Sequence, residues 1–172
     1  MIWLLLLSSL YFFLPAYLAN MSPVLFRWIP WLNKPIHEEK LGSHKTWRGI
    51  VVATLMGIIV FALQKWAYSY GFTSLALIDY SGFPWYMGAL LGFGAIFGDL
   101  VKSYYKRQVK IAPGHPWVPW DQLDFVIGGL LFGMFLYVPP AEVALLLIVA
   151  SPLLHLLVNY IGYLLGVNER KI

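Results

Sequence analysis

Asp99, Lys102, Lys106, Arg107, Lys110, Asp121 and Asp124 bring three carboxylates and four cations into one stretch of an otherwise apolar chain. Asp99 closes the run Gly94-Ala95-Ile96-Phe97-Gly98. A carboxylate at the edge of such a run is costly unless it meets a partner, a metal or water. If the helix continues past Asp99, then Lys102, Ser103, Lys106 and Arg107 project from its face, because residues three and four apart are neighbours on a helix. Pairing of Asp99 with Lys102 or Lys106 is one outcome of that geometry. Beyond the turn Pro113-Gly114-His115-Pro116, Pro119 prepares a new helix with Asp121 near its N-cap and Asp124 on the same face. Capping and dipole effects alone would explain two acids there. Joined by Asp99, however, they form a hard-oxygen set of the kind Mg²⁺ takes, a few carboxylates completed by phosphate oxygens and water. Asp99, Asp121 and Asp124 are therefore the candidate metal ligands, and the surrounding cations suit a polyanion that arrives with its metal.

A second cluster precedes an apolar stretch: Gly42-Ser43-His44-Lys45-Thr46-Trp47-Arg48-Gly49. Glycine, hydroxyls and cations at a helix start make a phosphate cradle, since free backbone N–H groups there point at the ligand. The spacing is not that of a Walker A loop. Lys45, Thr46 and Arg48 are its candidate phosphate contacts. Among the histidines, His37 and His44 read as solvated loop residues, and His115 as a phosphate contact within the turn. His155, one turn from Asn159, reads as half of an interhelical hydrogen bond.

These clusters sit in a chain made for lipid rather than water. Of its 172 residues 60% are hydrophobic and 12% charged, with a mean hydropathy of +0.70. A soluble domain carries about a quarter charged residues. The absence of cysteine excludes a disulfide framework, a thiolate zinc site and a cysteine nucleophile. Five apolar stretches approach the roughly 20 residues that cross a bilayer: Met1–Ala19, Ile50–Tyr70, Trp85–Leu100, Leu123–Val138 and Ala141–Leu165. The first has no basic n-region and reads as a permanent helix rather than a signal peptide. Of the 12 Lys and Arg, all but Lys65 fall between the first two spans, between the third and fourth, or in the tail at Arg170 and Lys171. Positive residues stay cytoplasmic, so the expectation is an all-α integral membrane protein with five transmembrane helices, N-terminus outside and C-terminus cytoplasmic. Residues 1–172 form one domain, with the site on cytoplasmic loops at about 20–49 and 101–122. Glycines recur along spans three and four, at Gly88, Gly92, Gly94 and Gly98 and at Gly128, Gly129 and Gly133, which predicts close packing of these two helices.

The string Gly98-Asp99-Leu100-Val101-Lys102-Ser103-Tyr104-Tyr105-Lys106-Arg107, followed by Pro113-Gly114-His115 and Asp121-Gln122-Leu123-Asp124, closely resembles the C-terminal signature of the CDP-diacylglycerol synthase superfamily. Gln122 stands where that signature has arginine, and Pro116-Trp117 where it has two glycines. Ser22-Pro23-Val24-Leu25, the Gly42–Gly49 string and His155-Leu156-Leu157-Val158-Asn159-Tyr160 resemble the archaeal CDP-archaeol synthase branch. Pro35-Ile36-His37-Glu38-Glu39-Lys40 replaces that branch's acidic, glycine-rich stretch.

The resemblance implies a membrane cytidylyltransferase: CTP and 2,3-bis-O-geranylgeranyl-glyceryl phosphate give the CDP-activated lipid and pyrophosphate, with Mg²⁺ as cofactor. It implies that Lys102, Lys106 and Arg107 neutralise the triphosphate and leaving pyrophosphate, and that Ser103, His115 and Gln122 contact the nucleotide. Lys45, Thr46 and Arg48 hold either the lipid phosphate or the triphosphate. Partners are then CTP, an isoprenoid glycerol-ether lipid phosphate and membrane lipids, with no nucleic acid; a second copy of the chain is kept as a candidate partner. A CTP-dependent polyprenol or dolichol kinase is the nearest alternative. A phosphate or magnesium transporter would instead predict ionisable residues at the bilayer midplane and an internal repeat, and neither is evident.

Overall fold

The computed structural model describes residues 2–113 and 115–164. Gly114, Leu165, Arg170 and Lys171 lie outside the described residues, as does the side chain of Asn159. The described residues form seven helices and no strand.

The first apolar stretch is not the single helix expected over Met1–Ala19. It is a pair, α1 (Ile2–Phe12) and α2 (Leu14–Leu25), bent by 48°. The cause is Pro15, which has no N–H and leaves the Tyr11 carbonyl without its intrahelical donor. Gln64, buried on α4 (Trp47–Ser69), supplies one: its Nε2 donates to that carbonyl at 2.5 Å. The bend is thus closed by a side chain from another helix.

Thr46 caps α4, its hydroxyl accepting from the Gly49 N–H at 3.3 Å. The 23 residues of α4 span about 34 Å, enough for a hydrocarbon core of about 30 Å. The helix ends before Gly71, whose φ of 92° suits a residue without Cβ. In the following loop the ammonium of Lys65 donates to the carbonyls of Tyr80 (2.7 Å), Ser81 (3.2 Å) and Phe83. The half-buried Lys65 is therefore spent on the backbone of this loop.

A one-turn helix, α3 (Glu38–Leu41), lies in the loop between α2 and α4. α5 (Tyr86–Gln108) continues two turns past the expected end at Leu100, as the stripe Lys102, Ser103, Lys106, Arg107 requires. α6 (Trp120–Gly133) stops short of Val138, and α7 (Ala141–Leu164) follows the Pro139-Pro140 turn. A 2.6 Å hydrogen bond between Tyr17 and Ser151 ties α2 to α7. By length and composition α4 and α7 can each cross a membrane, and the bent α1–α2 pair makes a third span if taken as one. α5 carries Asp99 and three cations toward its end, and α6, with 14 residues, reaches about 21 Å.

Burial runs inside out relative to a soluble protein. Leu145, Val149 and Leu153 on α7 are more than 60% exposed, while Gln64, Asp99, Lys106 and Asp124 are buried. That is the pattern of a bundle whose outer face meets hydrocarbon and whose polar groups pair within.

The glycines pack closely, on more partners than expected. A Cβ on Gly94 would lie 2.4 Å from the Gly128 carbonyl, and one on Gly98 would lie 2.0 Å from the Asp124 carbonyl, so these two do join α5 to α6. Gly88 and Gly92 instead face α4, at Gly57 and Ala53, and Gly129 faces Phe13. A helix carries several faces, and the spacing alone did not say which neighbour each glycine would meet.

Candidate functional site

The α5–α6 contact brings Asp99 beside Asp124. Both acids, with Asp121 from the first turn of α6, surround the ammonium of Lys102. Its Nζ lies 3.0 Å from Asp99 Oδ1, 3.0 Å from Asp121 Oδ1 and 2.8 Å from Asp124 Oδ2. Lys45, from the loop before α4, pairs with the other Asp99 oxygen at 2.5 Å, and Lys106 reaches both Asp121 oxygens at 3.1 Å. Three acids and three lysines form one network, with Lys102 at the centre.

Asp121 is not the N-cap of α6. Pro119 holds that position, and Asp121 folds back to accept from the Trp117 N–H.

The network forms the wall of a cleft of about 580 Å³ at one end of the bundle. All twelve expected site residues line it: Lys45, Thr46, Arg48, Asp99, Lys102, Ser103, Lys106, Arg107, His115, Asp121, Gln122 and Asp124. The loop before α4 is folded over this end by backbone bonds, with the Trp47 and Arg48 N–H groups donating to the Lys34 and Leu32 carbonyls. This corrects one expectation in part: at the start of α4 the N–H groups of Trp47, Arg48 and Gly49 are taken within the loop, so there the segment offers a phosphate side-chain charge. Arg48 is itself buried, its Nη1 donating to the Arg27 and Ile29 carbonyls.

Three buried polar atoms along the cleft make no hydrogen bond within the described residues: Arg48 Nε, Arg107 Nε and Gln122 Oε1. Buried polar atoms are normally satisfied, so these are suited to meet a ligand or water. Sequence reasoning gave no site role to Asn20, Pro23 or Arg27 at the α2 end and read His44 as a solvated loop residue, yet all four line the cleft. Their signal was weak, because a loop cation and a helix proline say nothing of where the chain folds back. His155 also lines the cleft and packs against Phe125 at 5.9 Å between ring centroids.

The carboxylates converge on one point, and oxygen donors suit a hard divalent cation. That point is taken by the Lys102 ammonium, and the described residues hold no group of three or more acids or histidines already set as metal ligands. The arrangement can receive a polyanion on cations and hidden N–H groups, and its acids can exchange one cation for another.

The family model described as CarS-like, CDP-archaeol synthase, matches residues 1–171. A CDP-archaeol synthase of Pyrococcus furiosus is 34% identical over 165 residues, covering 91% of this chain and 92% of its own. That of Methanocaldococcus jannaschii is 34% identical over 182 residues, covering 98% of both. That of Thermofilum pendens is 34% identical over 174 residues, covering 94% of this chain and 78% of its own. A solved structure described as an intramembrane enzyme for archaeal membrane lipids biosynthesis superposes with a TM-score of 0.68 at 29% identity, covering 88% of this chain and 92% of that one. With the match running nearly end to end, the chain belongs to the CDP-archaeol synthase family.

Proposed function

We propose that this chain is a membrane CTP-dependent cytidylyltransferase, joining the phosphate of 2,3-bis-O-geranylgeranyl-glyceryl phosphate to the cytidylyl group of CTP and releasing pyrophosphate. The observation that carries it is the gathering of every signature acid and base into one cleft at one end of an apolar bundle. The lipid phosphate is an ionised nucleophile and needs no strong base. An oxygen of that phosphate attacks the α-phosphorus of CTP, and the bond to the β-phosphate leaves with its electrons on pyrophosphate. The work left to the protein is positioning and charge neutralisation.

Lys102, Lys106 and Arg107 line the cleft together, and in this reading they neutralise the triphosphate and its leaving pyrophosphate. Lys45 and Arg48 also line the cleft and offer charge to a phosphate, of the lipid or of the nucleotide, with Thr46 beside them. Ser103, His115 and Gln122 remain for the nucleotide. Asp99, Asp121 and Asp124 would hold Mg²⁺, which when bound shields the charge of the triphosphate. Residues 1–172 act as one unit, and a second copy of the chain stays a candidate partner.

In the membrane, α1–α2, α4, α5, α6 and α7 make five crossings, with the N-terminus outside and the cleft facing the cytoplasm. The clustering of Lys and Arg at the cleft end supports this. A kinase acting on polyprenol would leave CDP rather than pyrophosphate.

The test is purified protein in detergent with Mg²⁺, CTP labelled at the α-phosphate and the ether-lipid phosphate. Label in the lipid phase with pyrophosphate released is the expected result. Unlabelled lipid with CDP release on a polyprenol would turn the reading to the kinase. Orientation is tested separately. The chain has no cysteine, so single cysteines at His44 and at Ser69 can be labelled from either side of sealed vesicles.

A further inference from the structure

Asp99 and Asp121 each keep a second lysine, Lys45 and Lys106, but Asp124 has only Lys102 as an ion-pair partner among the described residues. The Asp124 side chain is 4% exposed. A carboxylate at that depth without a cation is strongly disfavoured, so Lys102 cannot simply swing away. A divalent ion cannot join it either. The carboxylates converge on a single point, and two cations there would repel at close range in a poorly screened site. The distances agree: the oxygens stand 2.8 to 3.0 Å from Nζ, whereas Mg²⁺ holds its ligands at about 2.0–2.1 Å. The nest is sized for an ammonium and must draw in, or keep waters, around a metal.

We propose that Lys102 is a resident counter-ion of the three carboxylates, displaced one-for-one when the metal enters. The inference rests on the reading of Asp99, Asp121 and Asp124 as metal donors. Its consequence is that the free protein resists metal. Exit of a +1 charge and entry of a +2 charge leaves the nest more positive, and an arriving polyanion compensates both the gain and the released ammonium. Lys102 thereby couples metal entry to nucleotide entry, as a positioning residue that keeps the acids apart while the cleft waits.

The experiment titrates Mn²⁺ into detergent-solubilised protein without nucleotide, reading free Mn²⁺ by electron paramagnetic resonance. Wild type is expected to bind weakly and to tighten at least tenfold when CTP is added. Lys102→Met, close in shape and without charge, is expected to bind Mn²⁺ at least tenfold more tightly than wild type in the absence of CTP. It should also gain more melting temperature from Mg²⁺ than wild type does. Equal affinity in the two proteins, or wild-type affinity indifferent to CTP, overturns the proposal. Should the variant fail to fold, the wild type decides: methylation of the Lys102 amine, followed by mass spectrometry, should speed up several-fold with Mn²⁺ and CTP, and an unchanged rate refutes displacement. Lipid labelling is scored independently. Failed transfer with the Mn²⁺ pattern intact would sink the enzymatic reading alone, and the converse would sink only the counter-ion.

Discussion

Lys102 Nζ and Asp124 Oδ2 meet at 2.8 Å between two helices whose backbones touch one turn away, where Gly98 faces the Asp124 carbonyl. The ion pair and the close packing stand at the same level of the bundle, so the charge network inherits its spacing from the glycines.

Asp124→Asn removes the deepest acid while keeping its size. Transfer of label from CTP to lipid should fall by about 10²–10³-fold, the usual cost of losing one group that holds reacting charge in place. Tryptophan fluorescence, from 8 tryptophans, checks that the fold persists. Activity within a few-fold of wild type would remove Asp124 from the machinery.

Gly98→Ala places a methyl 2.0 Å from a main-chain oxygen that no rotamer can move. α5 and α6 must part, with an expected cost of about 1–3 kcal/mol and a loss of activity beyond what stability explains. Gly82→Ala is the control, since its Cβ would meet nothing nearer than 3.6 Å. Equal melting temperatures for the two variants would refute the seam.

Gln64→Leu leaves the Tyr11 carbonyl without a donor, at a cost of about 1–3 kcal/mol. Pro15→Ala restores a backbone N–H that can serve that carbonyl, so the same Gln64 change should then cost less. A double-mutant cycle on thermal stability reads the coupling, and additive effects would mean that the proline does not create the need for Gln64.

Lys65→Met frees the carbonyls of Tyr80, Ser81 and Phe83. Limited proteolysis of the loop between α4 and α5 should accelerate, while cysteine labelling shows the orientation unchanged. A reversed orientation would show that Lys65 steers topology rather than tethering a loop.

The helices of the bundle were legible because a bilayer imposes long apolar runs, and the site was legible because charge is expensive there. Asp99, Lys102 and Asp124 stood out for that reason. The bend at Phe13 was less visible: Pro15 marks a break, but its tolerance depends on Gln64, distant in sequence and close only after folding. The cradle at Thr46 misled in one respect. Its residues do line the cleft, but the N–H groups of Trp47 and Arg48 were already promised to Lys34 and Leu32, in a loop without periodicity. Nor could spacing foretell that Lys102 would sit at the centre of three acids, because only the α5–α6 register sets that point.

α5 is held by backbone contact on two sides, to α4 through Gly57, Gly88 and Gly92 and to α6 through Gly94, Gly98 and Gly128. At these glycines the three main chains meet at their least separation and behave as a single wedge, with no Cβ on the glycine side to act as a compressible layer. Substitution is therefore directional. The outward Leu, Ile and Val can exchange among themselves with little effect, while the seam does not admit one methyl. The wedge also fixes where the cleft can yield. Widening for a bulky substrate falls to the covering segment between α2 and α4, which is held by hydrogen bonds at Arg48 and Trp47 and by the Lys45–Asp99 ion pair rather than by main chain against main chain.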